Sequence, residues 1–344
     1  LTLKVTEKPT GNLLLGAGYS SAEKLSLTAS VRQENIFGTG NYLGVELNTS
    51  KYNRSFVLSS VDPYFTVDGV SRYLDLYYRT TRPINSQGDT YSLVTPGVVV
   101  RFGVPFSDFD TVFFGLGVES TRIKGSTGLP NNWYLYREEY GDTATAFPLT
   151  LGWARDGRDS ALVPTRGRYS RVNLEWGVGG NAQYARANLQ LQQYIPLGGA
   201  YTLGLNGEIG YGRSLNDRTY PFFKNYFGGG LGSVRAFDQA SLGPVDVTGT
   251  YIGGPKRVNL NAELYVPVPG SGTDKTLRLF AFTDVGNVWG EDEKVSAGSL
   301  RASAGIGLSW LSPIGPLKLS YGTPIRKEPN DRIQKFQFQV GTAF

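Results

Sequence analysis

Apolar side chains alternate with polar or small ones along almost the whole chain, with a period of two residues. Successive side chains of a β-strand point to opposite faces, so a barrel in lipid turns its apolar set outward and its polar set toward the lumen. The last ten residues show the pattern most clearly. Their apolar face carries Phe336, Phe338, Val340 and Phe344, and their polar face carries Gln337 and Gln339. The pattern predicts strands and is typical of a membrane-spanning β-barrel.

The composition agrees with a large β-protein and excludes several classes of chemistry. The 344 residues include 45 Gly, 21 Tyr and 18 Phe, which is more than ordinary globular usage. Even the longest apolar runs are short pieces such as residues 98–100, whereas a transmembrane helix needs about 20 apolar residues. The chain has no Cys and no His, so disulfides, thiolate nucleophiles, imidazole bases and the commonest metal ligands are missing. We therefore expect neither enzymatic activity nor a cofactor or metal site.

Sixteen strands of about ten residues are predicted, separated by clusters of Gly, Pro, Asn and Asp. They lie near residues 12–20, 24–33, 41–50, 53–61, 72–81, 91–101, 110–122, 145–155, 168–178, 183–194, 201–213, 257–267, 277–288, 300–311, 315–323 and 335–343. An even number suits a single-chain bacterial barrel. No window of comparable length has helical spacing, so the predicted fold is all-β: a transmembrane, 16-stranded antiparallel β-barrel. A water-soluble β-sandwich is the alternative, but it gives no reason for so many long strands.

The connections suggest an orientation. Short turns, such as residues 196–199 and 312–316, alternate with longer connections, of which 123–145 and 214–256 are the longest. In outer-membrane barrels short turns face the periplasm and long loops face outward, so we expect a periplasmic amino end. Connections as long as the last of these usually have a function.

Charge gives little indication of a nucleic-acid partner. The chain has 34 Lys and Arg against 29 Asp and Glu, a net charge of +5, and these charges are scattered. The basic loop at residues 51–54 is expected to be solvated, with contact to anionic lipid headgroups as the alternative.

Three charged residues are expected to meet inside the barrel. Arg235 lies in the long loop among small and apolar residues, and its guanidinium offers a fixed fork of donors to carboxylates. Glu263 and Asp284 each lie opposite the apolar face of a predicted strand. A charge on the lipid face at mid-depth costs about 2–4 kcal/mol for Arg or Lys and less for an acid. The two acids should therefore point inward, either toward Arg235 or simply into a wet lumen.

Several segments, taken in order, carry a family resemblance. They are residues 35–41 (NIFGTGN), 63–70 (PYFTVDGV), 233–237 (SVRAF), 303–316 (SAGIGLSWLSPIGP) and the carboxyl end. Individually these are weak signals, but their order and spacing resemble the BamA family of outer-membrane protein assembly factors over essentially the whole chain. The resemblance divides the chain into residues 1–10, the remnant of the last periplasmic POTRA domain, and residues 11–344, the barrel.

The resemblance also implies a site within the barrel. The long loop would fold into the lumen, where Arg235 and Phe237 of its tip would be braced by Glu263 and Asp284. The family motif has glycine where this chain has Ala236, so a positive φ at this position would be strained.

The function implied is that of the central insertase of an outer-membrane β-barrel assembly machinery. Clients would be folded and inserted without ATP through a lateral seam between the first and last strands, where glycines pair poorly. Gly341 matches a glycine at which the last strand can bend inward. The seam residues would be Leu13, Leu15, Gly16, Gly18, Phe336, Phe338, Gly341 and Phe344.

The implied partners are unfolded outer-membrane proteins, lipoprotein subunits, lipopolysaccharide and phospholipid, and periplasmic chaperones acting through the missing POTRA domains. The implied location is the bacterial outer membrane. A TpsB-type secretion pore or a TamA-like translocation or assembly barrel is the alternative, and a diffusion porin is a weaker one.

Overall fold

A computed structural model describes residues 10–82, 91–125, 129–247, 249–270, 276–313 and 315–341. Sixteen antiparallel strands close into a single barrel, which confirms the predicted fold class. Two further short strands, β12 and β17, form a small sheet of their own. In chain order the strands are β1 Gly11–Ser20, β2 Lys24–Gln33, β3 Tyr42–Thr49, β4 Asn53–Asp62, β5 Ser71–Thr81, β6 Ser92–Pro105, β7 Asp110–Lys124, β8 Thr143–Asp156, β9 Gly167–Val178, β10 Tyr184–Gly198, β11 Tyr201–Ser214, β12 Ala236–Phe237, β13 Lys256–Pro267, β14 Leu277–Trp289, β15 Arg301–Ser312, β16 Gly315–Arg326, β17 Ile333–Gln334 and β18 Phe336–Gly341.

Each barrel strand pairs with its neighbour in sequence, and β18 closes the barrel by pairing with β1. We call the end at which β1 begins the turn end, and the opposite end the loop end. The long loop, residues 215–255, and the β7–β8 connection are both at the loop end. The sequence predicted short connections at one end of the barrel and long ones at the other. Not every connection follows this prediction, because residues 21–23 and 50–52 form short links at the loop end.

Strand boundaries agree with the predicted ones to within about four residues. The largest differences are in β6, which ends at Pro105 instead of 101, and in β10, which ends at Gly198 instead of 194. The alternation is also as expected, since the outer wall exposes one apolar residue after another. Examples are Leu47, Phe56, Val98, Leu116, Leu149, Leu191, Leu205, Leu260 and Leu279.

The abundance of glycine and aromatic residues has a common structural cause. Rings inside the barrel pack against glycines, where no side chain would fit. A Cβ at Gly97 would lie 2.3 Å from Cζ of Tyr77, and one at Gly307 would lie 2.2 Å from Cζ of Phe280. The same arrangement pairs Gly177 with Tyr184, Gly210 with Tyr226, Gly212 with Tyr220 and Gly305 with Phe282.

One helix contradicts the expectation of no helical segment. Helix α1, Asn131–Tyr140, lies in the β7–β8 connection. Of its described side chains only Trp133 and Tyr136 are buried, so its apolar face is too short to give a visible period of 3.6. No helix among the described residues has the length and apolarity needed to cross a membrane.

Contacts with the long loop stabilise α1. The Trp133 ring stacks on Phe222 of that loop, with ring centroids 4.1 Å apart. The carboxylate of Asp246, also in the long loop, accepts a hydrogen bond of 2.8 Å from the backbone amide of Asn131. A carboxylate at this position satisfies an unpaired helical amide and complements the helix dipole. Tertiary contacts, and not local periodicity, therefore specify this helix.

Candidate functional site

The tip of the long loop is buried inside the barrel. Val234, Arg235, Ala236 and Phe237 are each no more than 2% exposed. Val234 and Phe237 pack with Leu242 of the same loop into a small apolar cluster. A charged residue held among these side chains needs fixed partners, because an unpaired charge is costly to bury.

Arg235 binds Asp284 of β14 through both ends of its fork. The Nε atom donates to Oδ2 at 2.7 Å and Nη2 donates to Oδ1 at 2.7 Å. The backbone amide of Arg235 also donates to Oδ2, at 3.0 Å. Asp284 is fully buried, and its Oδ1 accepts a further hydrogen bond of 2.8 Å from Asn261. The carboxylate is therefore fully paired, which a buried ion pair requires.

Glu263 of β13 is the second partner of Arg235. It accepts a hydrogen bond from Arg235 Nη1 and another from the Tyr265 hydroxyl. Lys318 of β16 completes the set, with Nζ 2.8 Å from Oε1. Arg235 therefore contacts both acids that the sequence singled out. The sequence analysis missed Lys318, although its position between Leu317 and Leu319 already placed it on an inward face.

Aromatic and backbone contacts fix the tip further. The guanidinium carbon of Arg235 lies 3.7 Å from the ring centroid of Phe282, a cation–π arrangement. Ala236 has φ of 70°, so it occupies the left-handed region in which an alanine is strained. It also approaches Gly322 of β16 closely, since a Cβ there would lie 3.3 Å from Cβ of Ala236.

The tip also contacts the last strand and the segment before it. Ala236 pairs with Gln334 and Phe237 with Ile333 in the β12–β17 sheet. The side-chain amide of Gln337, in β18, donates a hydrogen bond of 2.6 Å to the carbonyl oxygen of Phe237. The sequence analysis placed Gln337 on the inner face but assigned it no contact.

A second ionic contact holds the first part of the long loop. Lys224 of this loop lies 2.6 Å from Glu119 of β7 and 2.8 Å from Glu175 of β9. Its side chain is only 13% exposed. These strands belong to a different part of the wall from β13 and β14, so the loop is held at two separate places. Sequence reasoning missed this contact, because only the fold brings β7 and β9 to the same segment.

The seam between β1 and β18 is short. Within the described residues three pairs form it: Gly18–Gly341, Tyr19–Val340 and Ser20–Gln339. Next to them the Ser21 amide donates to the Phe338 carbonyl oxygen at 2.8 Å, and the Phe338 amide donates to the Ser21 hydroxyl at 2.9 Å. By comparison, β10 and β11 share fourteen pairs. Beside these pairs the rings of Tyr19 and Phe338 stack with centroids 5.6 Å apart. The described part of β18 therefore leaves most of the β1 edge without a partner.

The predicted seam residues occupy different positions around this joint. Gly18 and Gly341 pair directly. Gly341 has φ of 93°, and a Cβ at this residue would lie only 2.4 Å from the Ala17 carbonyl oxygen. No side chain fits at this position. Leu13 and Leu15 are 70% and 74% exposed. Like Gly16, they lie beyond the part of β1 that pairs with the described residues of β18. The remaining predicted residues are Phe336 and Phe338, which pair with Tyr321 and Leu319 of β16, and Phe344, which lies outside the described residues.

Comparison with known sequences gives the family of the chain. An Omp85 superfamily domain matches residues 35–344. The outer membrane protein assembly factor BamA of Neisseria meningitidis serogroup B is 38% identical over 387 residues, covering 100% of this chain and 48% of that protein. BamA of Nitratidesulfovibrio vulgaris is 25% identical, covering 100% and 43%. The chain thus spans about half the length of these curated relatives.

Solved structures agree with this assignment. BamA from Haemophilus ducreyi lacking POTRA domains 1–3 superposes with a TM-score of 0.89 at 28% identity, covering 97% of this chain and 70% of that one. CdiB from Acinetobacter baumannii has a TM-score of 0.62 at 14% identity, covering 96% and 60%, which shows a common fold alone. The barrel therefore resembles those of the BamA outer-membrane protein assembly factors, and the chain belongs to the Omp85 superfamily.

Proposed function

We propose that this barrel folds and inserts other β-barrel proteins into the bacterial outer membrane, without ATP, through the seam between β1 and β18. The observation that carries the proposal is the short joint between these strands, which has three pairs within the described residues. An exposed strand edge offers unpaired N–H and C=O groups to another chain. The described part of this joint, three pairs and the hydrogen bonds of Ser21 with Phe338, should separate at lower cost than the fourteen-pair contact between β10 and β11.

Opening of this seam would give an incoming strand a template. β1 remains fixed to the barrel by ten pairs with β2, so it can present its free edge while β18 moves aside. A client strand that pairs with this edge keeps its backbone groups satisfied as its apolar face meets lipid. The free energy comes from the folding of the client, and no residue carries out covalent chemistry.

In this scheme the residues around Arg235 hold the long loop in place. Its contacts with Asp284 and Glu263 fix the tip against β13 and β14, on the same side of the barrel as the seam strand β18. A lumen occupied by this loop also favours an assembly barrel over an open diffusion pore. The 38% identity to a BamA favours assembly over secretion, since the similarity to CdiB rests on fold alone.

The orientation and the partners belong to the same proposal. We place the turn end, and with it the amino end of the chain, in the periplasm. Residues 1–10, of which 1–9 lie outside the described residues, would be the end of a POTRA domain. The Haemophilus ducreyi relative is described as lacking POTRA domains 1–3, which supports POTRA domains in the full-length form of this chain. Unfolded outer-membrane proteins, lipoprotein subunits, chaperones, phospholipid and lipopolysaccharide would be its partners.

A disulfide across the seam tests the proposal. Ser20 and Gln339 are directly opposite each other, and antiparallel partners have the Cα separation that a disulfide needs. The chain has no native Cys, so Ser20→Cys with Gln339→Cys introduces a single bridge. We expect the oxidised barrel to lose assembly of a client protein in lipid vesicles and to regain it after reduction.

The matched control places the bridge inside a long hairpin. Leu189→Cys with Ile209→Cys joins directly opposite residues of β10 and β11, and it should leave client assembly unchanged in either redox state. Full assembly by a barrel whose seam is sealed would refute lateral opening.

A further inference from the structure

We propose that Gln337 is a positioning residue through which the long loop holds the last strand at the seam. The inference deepens the proposed function, because it assigns the loop a direct control over the strand that would move. It rests on contacts between the loop and β18 that are separate from the ion pairs of Arg235.

The hydrogen bond from Gln337 to the loop is buried on both sides. The amide nitrogen of Gln337 lies 2.6 Å from the carbonyl oxygen of Phe237, and the two residues are 1% and 0% exposed. The Oε1 atom of Gln337 finds no hydrogen-bond partner among the described residues. Burial of an amide oxygen without a partner is unfavourable, so the side chain is buried at a cost. Its one side-chain hydrogen bond within the described residues goes to the loop.

Backbone contacts extend the attachment from β18 toward the loop end. The β12–β17 sheet joins Phe237 to Ile333, and the amide of Asp238 donates to the carbonyl oxygen of Arg332 at 2.9 Å. Farther along, the Tyr251 hydroxyl donates to the carbonyl oxygen of Asn330 at 3.0 Å. The long loop is therefore hydrogen-bonded at several points to the segment that leads into β18.

The last strand has few other contacts to hold it. Its described residues share five pairs with β16 and three with β1, and Phe338 exchanges two hydrogen bonds with Ser21. The loop tip is itself fixed to β14 by Arg235 and Asp284, only two residues before Phe237. The contacts thus run without a gap from β14 in the barrel wall, through the tip, to Gln337. Withdrawal of the tip would release β18, and movement of β18 away from β1 would break its bond to the tip.

Hydrogen exchange of the seam gives a direct test. Gln337→Leu keeps a side chain of similar size but removes the donor. Loss of one buried hydrogen bond corresponds to about a tenfold change in an opening equilibrium. We expect amide exchange in residues 17–21 and 336–341 to become about tenfold faster, with residues 184–214 unchanged. Gln190→Leu is the control, because Gln190 donates to Glu208 inside the same barrel and should leave the seam unaltered.

A disulfide between loop and strand distinguishes lost attachment from a damaged fold. Ala236 and Gln334 are directly opposite, so Ala236→Cys with Gln334→Cys can restore the attachment in the Gln337→Leu background. Oxidation should return the seam to slow exchange, and reduction should make it fast again.

Two results would overturn the inference: unchanged seam exchange in Gln337→Leu, or fast exchange that persists after oxidation. Client assembly is not measured here, so such a failure leaves the proposed assembly function standing. Conversely, client assembly by a barrel whose seam is sealed by the disulfide would refute lateral opening. It would not affect the inferred link between the long loop and β18.

Discussion

Arg235 shows how a full positive charge can be buried in this barrel. Its side chain is 2% exposed, and that of its partner Asp284 is 0% exposed. Desolvation of such a pair consumes much of the attraction between its charges, so the net gain in stability is small. The bidentate geometry nevertheless permits only one placement of the loop tip. The pair therefore determines where the loop lies more than how stable the barrel is.

Removal of the guanidinium should release the loop. In Arg235→Ala the carboxylate of Asp284 is left buried without its counter-ion, a change that costs about 3–5 kcal/mol. We expect a lower free energy of unfolding in urea and faster proteolysis of the long loop. The electrophoretic shift that separates folded from unfolded barrels measures the unfolding, and the appearance of cleavage fragments on a denaturing gel measures the proteolysis.

Arg171→Ala is the matched control for this change. Arg171 lines the lumen on β9, is exposed, and donates to Asn173 at 3.4 Å. Its loss should change stability by less than about 0.5 kcal/mol. Equal effects of the two substitutions would show that Arg235 has no special part in holding the loop.

At this scale the sequence predicted the direction of side chains better than their partners. Period-two alternation placed Glu263 and Asp284 inward, and the family resemblance brought Arg235 to them. The same alternation placed Lys318 and Gln337 inward but could not indicate what they would contact. Contacts across a lumen depend on the depth to which a loop enters and on the stagger of the strands, and neither is visible in a local pattern.

Among the elements, the strands were predictable and the helix was not. A strand such as β10 carries its signal in every second residue over its whole length. Helix α1 depends on Trp133, which stacks on Phe222, and on a carboxylate from a loop more than one hundred residues later. Local propensity is weak evidence when tertiary contacts of this kind decide the outcome.

Glycines within strands are expected to differ in importance according to the wall they face. Gly97→Ala introduces a Cβ 2.3 Å from Cζ of Tyr77, and Tyr77 cannot move freely, because its hydroxyl donates to Glu119 at 3.1 Å. Overpacking of this kind costs about 1–3 kcal/mol. A fall in the thermal unfolding temperature, measured by circular dichroism in detergent, would report it.

Gly207→Ala provides the comparison on the outer wall. A Cβ at Gly207 would lie 3.4 Å from Leu260, an ordinary contact, and alanine restricts the unfolded chain. This substitution should leave the unfolding temperature unchanged or raise it slightly. If both alanines are tolerated equally, the packing of rings on glycines has no role in stability.

For the whole molecule, closure of the barrel is the contact of longest range. Ser20 and Gln339 are 319 positions apart in sequence, yet they pair directly. Most neighbouring strands elsewhere are joined by short connections, which cost less entropy to close. The sequence predicted sixteen strands and hence closure, but not the register or the length of the joint. A shift of two residues between paired strands leaves every side chain on the same face, so alternation alone cannot distinguish such registers.

This difference in range gives a prediction for the disulfides introduced above. A bridge stabilises mainly by restricting the unfolded chain, and the chain-entropy relation gives about 6 kcal/mol for a loop of roughly 320 residues and about 3 kcal/mol for one of roughly 20. In urea the oxidised Ser20→Cys/Gln339→Cys barrel should therefore gain about twice as much unfolding free energy as the oxidised Leu189→Cys/Ile209→Cys barrel, relative to their reduced forms. Each bridge joins one directly opposite pair of residues, so the two bridges differ mainly in the length of chain that they close. The larger gain of the seam bridge therefore reflects closure of the whole barrel. Equal gains would mean that the seam strands stay together in the unfolded ensemble. Unfolding would then not begin at the seam, although the seam is the weakest joint of the folded barrel.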